Sequence, residues 1–467
     1  MRWLRRRRRR RLLLIGLDSA GPDLVFRQLS ACLPHLRQLM AAGQWGVLRS
    51  SVPCITVPAW SSMMTSLDAG TLGIYGFRNR SSWGYDALSS ADSRAVSAPR
   101  VWDVLGQAGR VSIVANVPQT YPVSPVNGCL IADFLTPNRD TSFTHPALLR
   151  AEILQQWPQY PFDAADFRTA DKPSLVHRLM ELSNQQYAVF EHLLHTRDWD
   201  FAMHVNMATD RLHHAFWRYH DPQHRLHEPS AAFGTLVRDY YQFVDAWIGR
   251  LLEGFDEPPV VMVVSDHGVK RMDGALALNQ WLYDNGWLVL RQPLAQGEIS
   301  PLRPDMVDWP RTRAWSAGGY YGRVFLNIRG REPQGCIDAA EADAVSQTLA
   351  DALRGIPDDQ GMPMPTRVMR PRDVYRCVNG FAPDLIAYFG DLHWRVVGGL
   401  GYAGWHMLEN DTGPDDANHA EEGLFILADP EQTARGESEP RPLLDVAPTI
   451  LARLGVPVPA QMQGRAI

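Results

Sequence analysis

The sequence predicts an α/β fold with a mostly parallel central sheet and helices on both of its faces. Three observations carry that expectation. Short unbroken apolar runs recur along the chain, helically spaced stretches separate them, and acidic or imidazole side chains lie close to the runs. The first run is Leu12-Leu-Leu-Ile-Gly-Leu17, and similar ones return at 111–115, 201–205, 260–264 and 424–427. Runs of this length without alternation read as strands covered on both faces. Between them, 175–194 and 232–252 place apolar residues three and four apart, the period of a helix burying one side. In such sheets ligands bind beyond the carboxyl ends of the strands, so the chemistry is expected there.

Other segments read differently. Residues 292–313 and 355–366 are rich in proline and polar residues, and 429–441 is polar, as loops are. Around Gly318-Gly319, residues 314–329 alternate aromatic and aliphatic side chains, which predicts a hairpin outside the main sheet. The expected organisation is an arginine-rich tail (1–11), a first core part (12–269), an insertion or lid (270–400) and a second core part (401–467). The last of these ends in a helix stopped by Gly455 and Pro457.

The chain of 467 residues is long enough to bury a large core. Its net charge of −5 gives no global attraction to nucleic acid or anionic membranes. The local exception is the run Arg5–Arg11, read as a solvated like-charge block rather than a binding arm. Nearly all of the 46 basic residues are arginine, Lys172 and Lys270 being the only lysines, which fits a compositional bias. The apolar stretch 12–17 stops at Asp18, too short for an export signal, and no stretch approaches the roughly 20 apolar residues of a membrane span. Five cysteines without CxxC spacing argue against a disulfide framework and against a thiolate zinc site. A cytoplasmic enzyme acting on a small molecule is the expectation, with no nucleic-acid partner.

Candidate site residues stand where the strand reading puts a site. Asp18 follows the first strand, Asp266-His267-Gly268 ends the most valine-rich one, and His419 precedes 424–427. Asp210 is four residues before His214, so both project from one face of a helical turn. Taken singly, each fits a helix cap or a packing residue. Together they make a carboxylate and imidazole set without thiolates, which suits a catalytic zinc or manganese site. Thr56 is the candidate nucleophile. Pro58 suits the first turn of a helix, so Thr56 is expected at a helix N-terminus, where free N–H groups favour a phosphate group. A threonine hydroxyl is a weak nucleophile at neutral pH, and a divalent cation activates it by lowering its pKa.

The order of these segments resembles the alkaline phosphatase superfamily, in particular its type I phosphodiesterase and nucleotide pyrophosphatase branch. The likeness runs from Leu12 to the C-terminal Gly-Arg-Ala-Ile467. It implies an alkaline phosphatase-like core and two divalent metal ions, zinc or alternatively manganese. Asp18, Thr56, Asp266 and His267 are implied to hold one ion, and Asp210, His214 and His419 the other. His406 is a rival to His419, but Ala-Glu-Glu-Gly-Leu-Phe-Ile follows His419 as in the family; His213 breaks the Asp-xxx-His spacing. The implied reaction is hydrolysis of a phosphate ester through a phosphothreonine. A phosphomonoesterase or phosphomutase on the same scaffold is the alternative, and an inactive nucleic-acid binder using the arginine tail is the second. Thr56-Val-Pro-Ala-Trp60 lacks the residues a sulfatase needs. Two departures stand out. Thr65–Gly73 lacks the glycine, proline and histidine of the family turn, and Phe77 replaces a phosphate-binding asparagine, leaving Arg78 or Asn79 as substitutes. Trp60 and Phe77 suit a second ester substituent or core packing.

Overall fold

A computed structural model describes residues 10–294 and 297–467 of the chain. Its main sheet is built on β1 (Leu12–Leu17), β2 (Gln44–Arg49), β3 (Ser112–Ala115), β4 (Gly128–Ile131), β5 (Thr144–His145), β6 (Phe201–Asn206), β7 (Val260–Val264) and β8 (Glu422–Ala428). Their spatial order is β2-β8-β7-β1-β6-β3-β4-β5, with Gly436–Glu437 and Arg441–Pro442 alongside β2. The central block β7-β1-β6-β3-β4 is parallel throughout, and β8, β2 and β5 add antiparallel edges.

Both faces of the sheet are covered, which is why its central strands are continuous apolar runs. Leu13, Ile15, Val261 and Val263 pack on one face beneath helices such as Lys172–Thr196 and Leu236–Glu253. Leu12, Leu14, Met262 and Val264 pack on the other, beneath α1 (Thr56–Thr65) and Val446–Arg453. The expected mostly parallel α/β architecture is therefore the observed one.

The hairpin expected near 314–329 is Ala314–Ala317 against Gly322–Leu326, extended by Leu385–Tyr388 and Arg367–Met369 into a separate four-stranded sheet. A three-stranded sheet joins Gly274–Ala277, Trp394–Val397 and His406–Met407. Strands off the main sheet thus continue past residue 400, with His406–Met407 pairing back onto Ala275–Leu276 and Ala417–Ala420 onto Gly268–Arg271. This segment has its own core around Leu276, Trp309, Trp315, Phe325 and Leu349.

The arginine run needs a correction at its end. Arg5–Arg9 lie outside the described residues, but Arg10 forms an ion pair with the buried Asp429, and Arg11 lies over the Trp199 ring at 4.8 Å. These two belong to the fold: Arg10 shares the buried Asp429 with Arg453, one arginine on each carboxylate oxygen. All five cysteines are free. Among the described residues no helix is long and apolar enough to cross a membrane.

Candidate active site

β7, β1 and β6 are parallel neighbours, so their carboxyl ends lie side by side. Asp18 follows β1, Asp266 and His267 follow β7, and Asp210 sits in the first turn of α2 (Ala208–His220), just after β6. His214 is one turn further along α2, with Nε2 3.3 Å from Asp210 Oδ1. His419 arrives from far along the chain. The strand Gly268–Arg271 continues from His267 and pairs with Ala417–Ala420, which sets His419 opposite Val269. Thr56 is the first residue of α1, whose N-terminus has no side-chain cap. Its Oγ1 lies 3.4 Å from His267 Nε2. All of these side chains are buried.

Each of the three aspartates has one oxygen held and one left open. Trp60 Nε1 donates to Asp18 Oδ2 at 2.7 Å, the Ser19 N–H to Asp266 Oδ1 at 3.2 Å, and Arg211 Nη1 to Asp210 Oδ2 at 2.9 Å. Asp18 Oδ1, Asp266 Oδ2 and Asp210 Oδ1 are buried without a hydrogen-bond donor. Trp60 reaches Asp18 because Gly16 leaves room: a Cβ there would stand 2.6 Å from the indole ring.

The histidines repeat the pattern. Nδ1 of His267 donates to Gly268 O at 3.0 Å, that of His419 to Cys54 O at 3.0 Å, and that of His214 to Asp415 Oδ1 at 2.6 Å. Carbonyl and carboxylate partners fix the proton on Nδ1 and free Nε2 as a ligand atom. His214 Nε2 and His419 Nε2 stand 3.3 Å apart, and the His267 and His419 rings stack at 3.9 Å. Two lone pairs so close need a proton or a cation between them. Asp18, Asp266 and His267 form one group whose ligand atoms lie within 4.8 Å of one another, and Asp210, His267 and His419 form another. His267 is common to both.

The electrostatics agree. Burial and then Asp210 push the Asp18 carboxyl well above its ordinary range; burial and then Asp18 do the same to Asp266. For Asp210 burial is outweighed by His214 and Arg211, which hold its carboxyl well below. Burial takes His267 down to about 4, and burial together with His267 takes His419 well below the usual value. Buried carboxylates facing one another destabilise their shared charge unless cations join them. With three open carboxylate oxygens and Nε2 atoms turned inward, the donor set fits divalent metal ions.

Other candidates are placed elsewhere. His406 sits on its strand with Nε2 2.9 Å from Pro357 O. His213 engages Ser19 Oγ and Tyr241 OH, each at 3.3 Å. The Asn79 amide is tied into its own turn, accepting from Tyr75 N at 2.7 Å and donating to Gly76 O at 3.1 Å. Arg78 is exposed and lines a cavity in the segment after residue 298. Phe77 is half-buried against Phe134 and Tyr320. Trp60 is fully buried, which favours core packing over the ester-substituent alternative, and its indole serves Asp18.

Two residues of the site escaped the sequence reading. Asp415 accepts from His214 and is also paired with Arg168 and Arg395; burial raises its carboxyl, but these three together hold it well below the ordinary range. Tyr320 stacks on His419 at 4.1 Å and accepts from Arg168 Nη2 at 2.8 Å. A carboxylate four positions before His419 was the available signal for Asp415; Tyr320 had none.

A family model described as type I phosphodiesterase / nucleotide pyrophosphatase matches residues 12–415. No curated protein matches the sequence. Among solved structures, the murine ectonucleotide pyrophosphatase/phosphodiesterase 5, as an inactive variant in complex with AMP, is 14% identical with a TM-score of 0.56, covering 96% of each chain. The human protein of that name is 15% identical with a TM-score of 0.53, covering 98% of this chain and 97% of its own. At these identities the likeness is one of fold.

Proposed function

The chain belongs to the type I phosphodiesterase / nucleotide pyrophosphatase family, and on that premise we propose that it hydrolyses phosphate esters with Thr56 as nucleophile. The observation that carries this is the place of the Thr56 hydroxyl, 3.4 Å from His267 Nε2 at the edge of a cluster with three open carboxylate oxygens. We read Asp18, Asp266, His267 and Thr56 as the holders of one divalent ion, and Asp210, His214 and His419 as those of a second, zinc or manganese. Bound there, such ions neutralise phosphate charge and lower the pKa of a coordinated hydroxyl or water.

The remaining work belongs to the chain. Thr56 opens α1, so the free N–H groups of the first turn favour the phosphoryl group at its hydroxyl. Thr56 Oγ1 forms a bond to phosphorus as the bond to the ester oxygen breaks, and the alcohol departs with a proton. Water then adds to the phosphothreonine, releasing phosphate product and restoring the hydroxyl. Trp60, Ser19 and Arg211 hold the outer carboxylate oxygens so that the inner ones stay aimed. Positioning and charge neutralisation supply most of the rate in phosphoryl transfer.

Diesters are the preferred substrates in this reading. A monoester carries about one more negative charge, given a second phosphate pKa of about 6. The residues after Thr56 are uncharged, and the nearby Arg211 and Arg168 are engaged by Asp163 and Asp415. We read residues 270–400 as an inserted subdomain that contributes Tyr320 to the site. Five free cysteines support a reducing compartment such as the cytoplasm. The test compares kcat/KM for bis-p-nitrophenyl phosphate and p-nitrophenyl phosphate after chelation and after zinc or manganese add-back. Metal-restored turnover favouring the diester is expected. Full turnover of exhaustively chelated protein overturns the metal-dependent reading, and a strong monoester preference moves the chain to the phosphomonoesterase alternative.

A further inference from the structure

A cavity of about 620 Å³ lies beside the candidate active site, between the Arg78–Leu88 region and the segment 299–412. That volume is in the range of small-molecule sites. One wall is aromatic: the Tyr85 and Trp309 rings stack at 3.5 Å with 5° between their planes, and Trp315 stands edge-on to both. Another wall is basic. Arg80 and Arg395 also line the cavity but are neutralised by Glu332 and Asp415.

Arg78 and Arg323 are not neutralised. Arg323 donates to the carbonyls of Arg78 and Gly318, which leaves its charge uncancelled, and the neighbouring Arg78 works against it. Among the described residues neither guanidinium makes an ion pair, and the exposed Asp411, which also lines the cavity, makes none either. Two adjacent guanidinium groups without a counter-ion are an arrangement that an oxyanion stabilises, and their planar forks match carboxylate or phosphate oxygens.

The cavity borders the catalytic cluster. Gly318 and Gly319 line it, and the next residue, Tyr320, stacks on His419. Arg395 lies over the Tyr320 ring at 4.3 Å and pairs with Asp415, the partner of His214. Arg395, which lines the cavity, therefore links it to Tyr320 and Asp415 of the candidate site.

We propose that this cavity is a specificity subsite for an acidic group carried on an aromatic ring in the alcohol portion of the ester. Arg78 and Arg323 hold the oxyanion, and Tyr85, Trp309 and Trp315 hold the ring. The substrate's being an ester rests on the hydrolase reading above; the anion site does not.

The experiment uses two diesters, p-nitrophenyl phenyl phosphate and p-nitrophenyl 4-carboxyphenyl phosphate, with the metal-loaded full chain. The wild type is expected to favour the carboxylated diester at least ten-fold in kcat/KM. Arg78→Ala and Arg323→Ala should each lower that ratio about ten-fold, through KM, and Arg323→Lys should retain part of it. Arg78 is exposed, so its variant carries the test should Arg323→Ala unfold. Absence of the preference in the wild type, or its survival in the folded alanine variants, overturns the subsite. Calorimetric titration with 2-naphthalenesulfonate separates this from the hydrolase reading. Binding that Arg323→Ala abolishes supports the anion site even if neither diester is hydrolysed, an outcome that would remove the hydrolase reading alone. Diester hydrolysis without arginine-dependent preference removes the subsite alone.

Discussion

Trp60 Nε1 donates to Asp18 Oδ2 at 2.7 Å, so a fully buried core side chain also orients a carboxylate of the candidate metal site. Trp60→Phe keeps most of the packing and deletes the donor. Leaving a buried carboxylate oxygen without its partner costs about 1–3 kcal/mol. Orienting contacts of this kind are worth about 10–100-fold in metal affinity or activity. Urea unfolding and a metal titration of the variant measure the two effects, and an unchanged metal affinity would confine Trp60 to packing.

Thr56→Ala should abolish turnover with the fold retained, because it removes the nucleophilic hydroxyl while Asp18, Asp266 and His267 remain to hold the first ion. Thr56→Ser should keep part of the activity. Since α1 has no side-chain cap, little loss of stability is expected. Alanine-variant turnover near the parental rate excludes Thr56 as the nucleophile.

Asp415→Asn addresses His214. The variant keeps the shape but removes the charge that faces His214, Arg168 and Arg395. Metal affinity is expected to fall about 10–100-fold, and stability by about 3 kcal/mol, as for a broken buried ion pair. Metal-bound fraction by mass spectrometry and thermal unfolding read these separately. A loss of stability with metal affinity intact would make Asp415 a structural residue only.

A pH effect is expected from His204. Neither ring nitrogen has a hydrogen-bond partner, the ring lies among Tyr187, Phe190 and Trp247, and burial lowers its pKa from 6.5 to about 3. The folded-state value lies below the unfolded one, so between pH 6.5 and about 3 the unfolded chain binds the extra proton. Stability therefore falls as pH falls through that window, by up to about 1.4 kcal/mol per pH unit from this group. His204→Leu should remove that slope and be more stable than the wild type at pH 5. Parallel pH profiles of unfolding free energy for the two proteins would contradict the assignment.

The arginine run divides at Arg10. Deleting residues 1–9 keeps every described contact and should leave activity and melting temperature unchanged. Deleting 1–11 removes one of the two arginines paired with the buried Asp429, leaving Arg453 at 3.1 Å, and removes the cation over Trp199. A cost of up to about 1 kcal/mol is expected for a partly exposed ion pair, read by denaturant unfolding. Equal stability of the two truncations would return Arg10 and Arg11 to the tail.

What was legible in the sequence was local. An unbroken run such as Val260–Val264 marks a strand buried on both faces, and a residue just after it, such as Asp266, must stand at the strand's carboxyl end. Four-residue spacing on α2 puts Asp210 and His214 on one side of a helix whatever surrounds it. Such statements follow from the periods of helix and strand, which need no knowledge of distant residues.

Tertiary structure decided everything that depends on a partner remote in sequence. That Asp415 rather than water holds His214, that Trp60 serves Asp18, and that His406 pairs with a strand while His419 reaches the cluster follow from how separate segments pack. The open oxygen on each aspartate is likewise a product of packing, because a carboxylate's second oxygen is left free only where the surrounding atoms fix the first. Hydrogen-bond geometry is set within tenths of an ångström, and residue spacing along the chain carries no information at that scale.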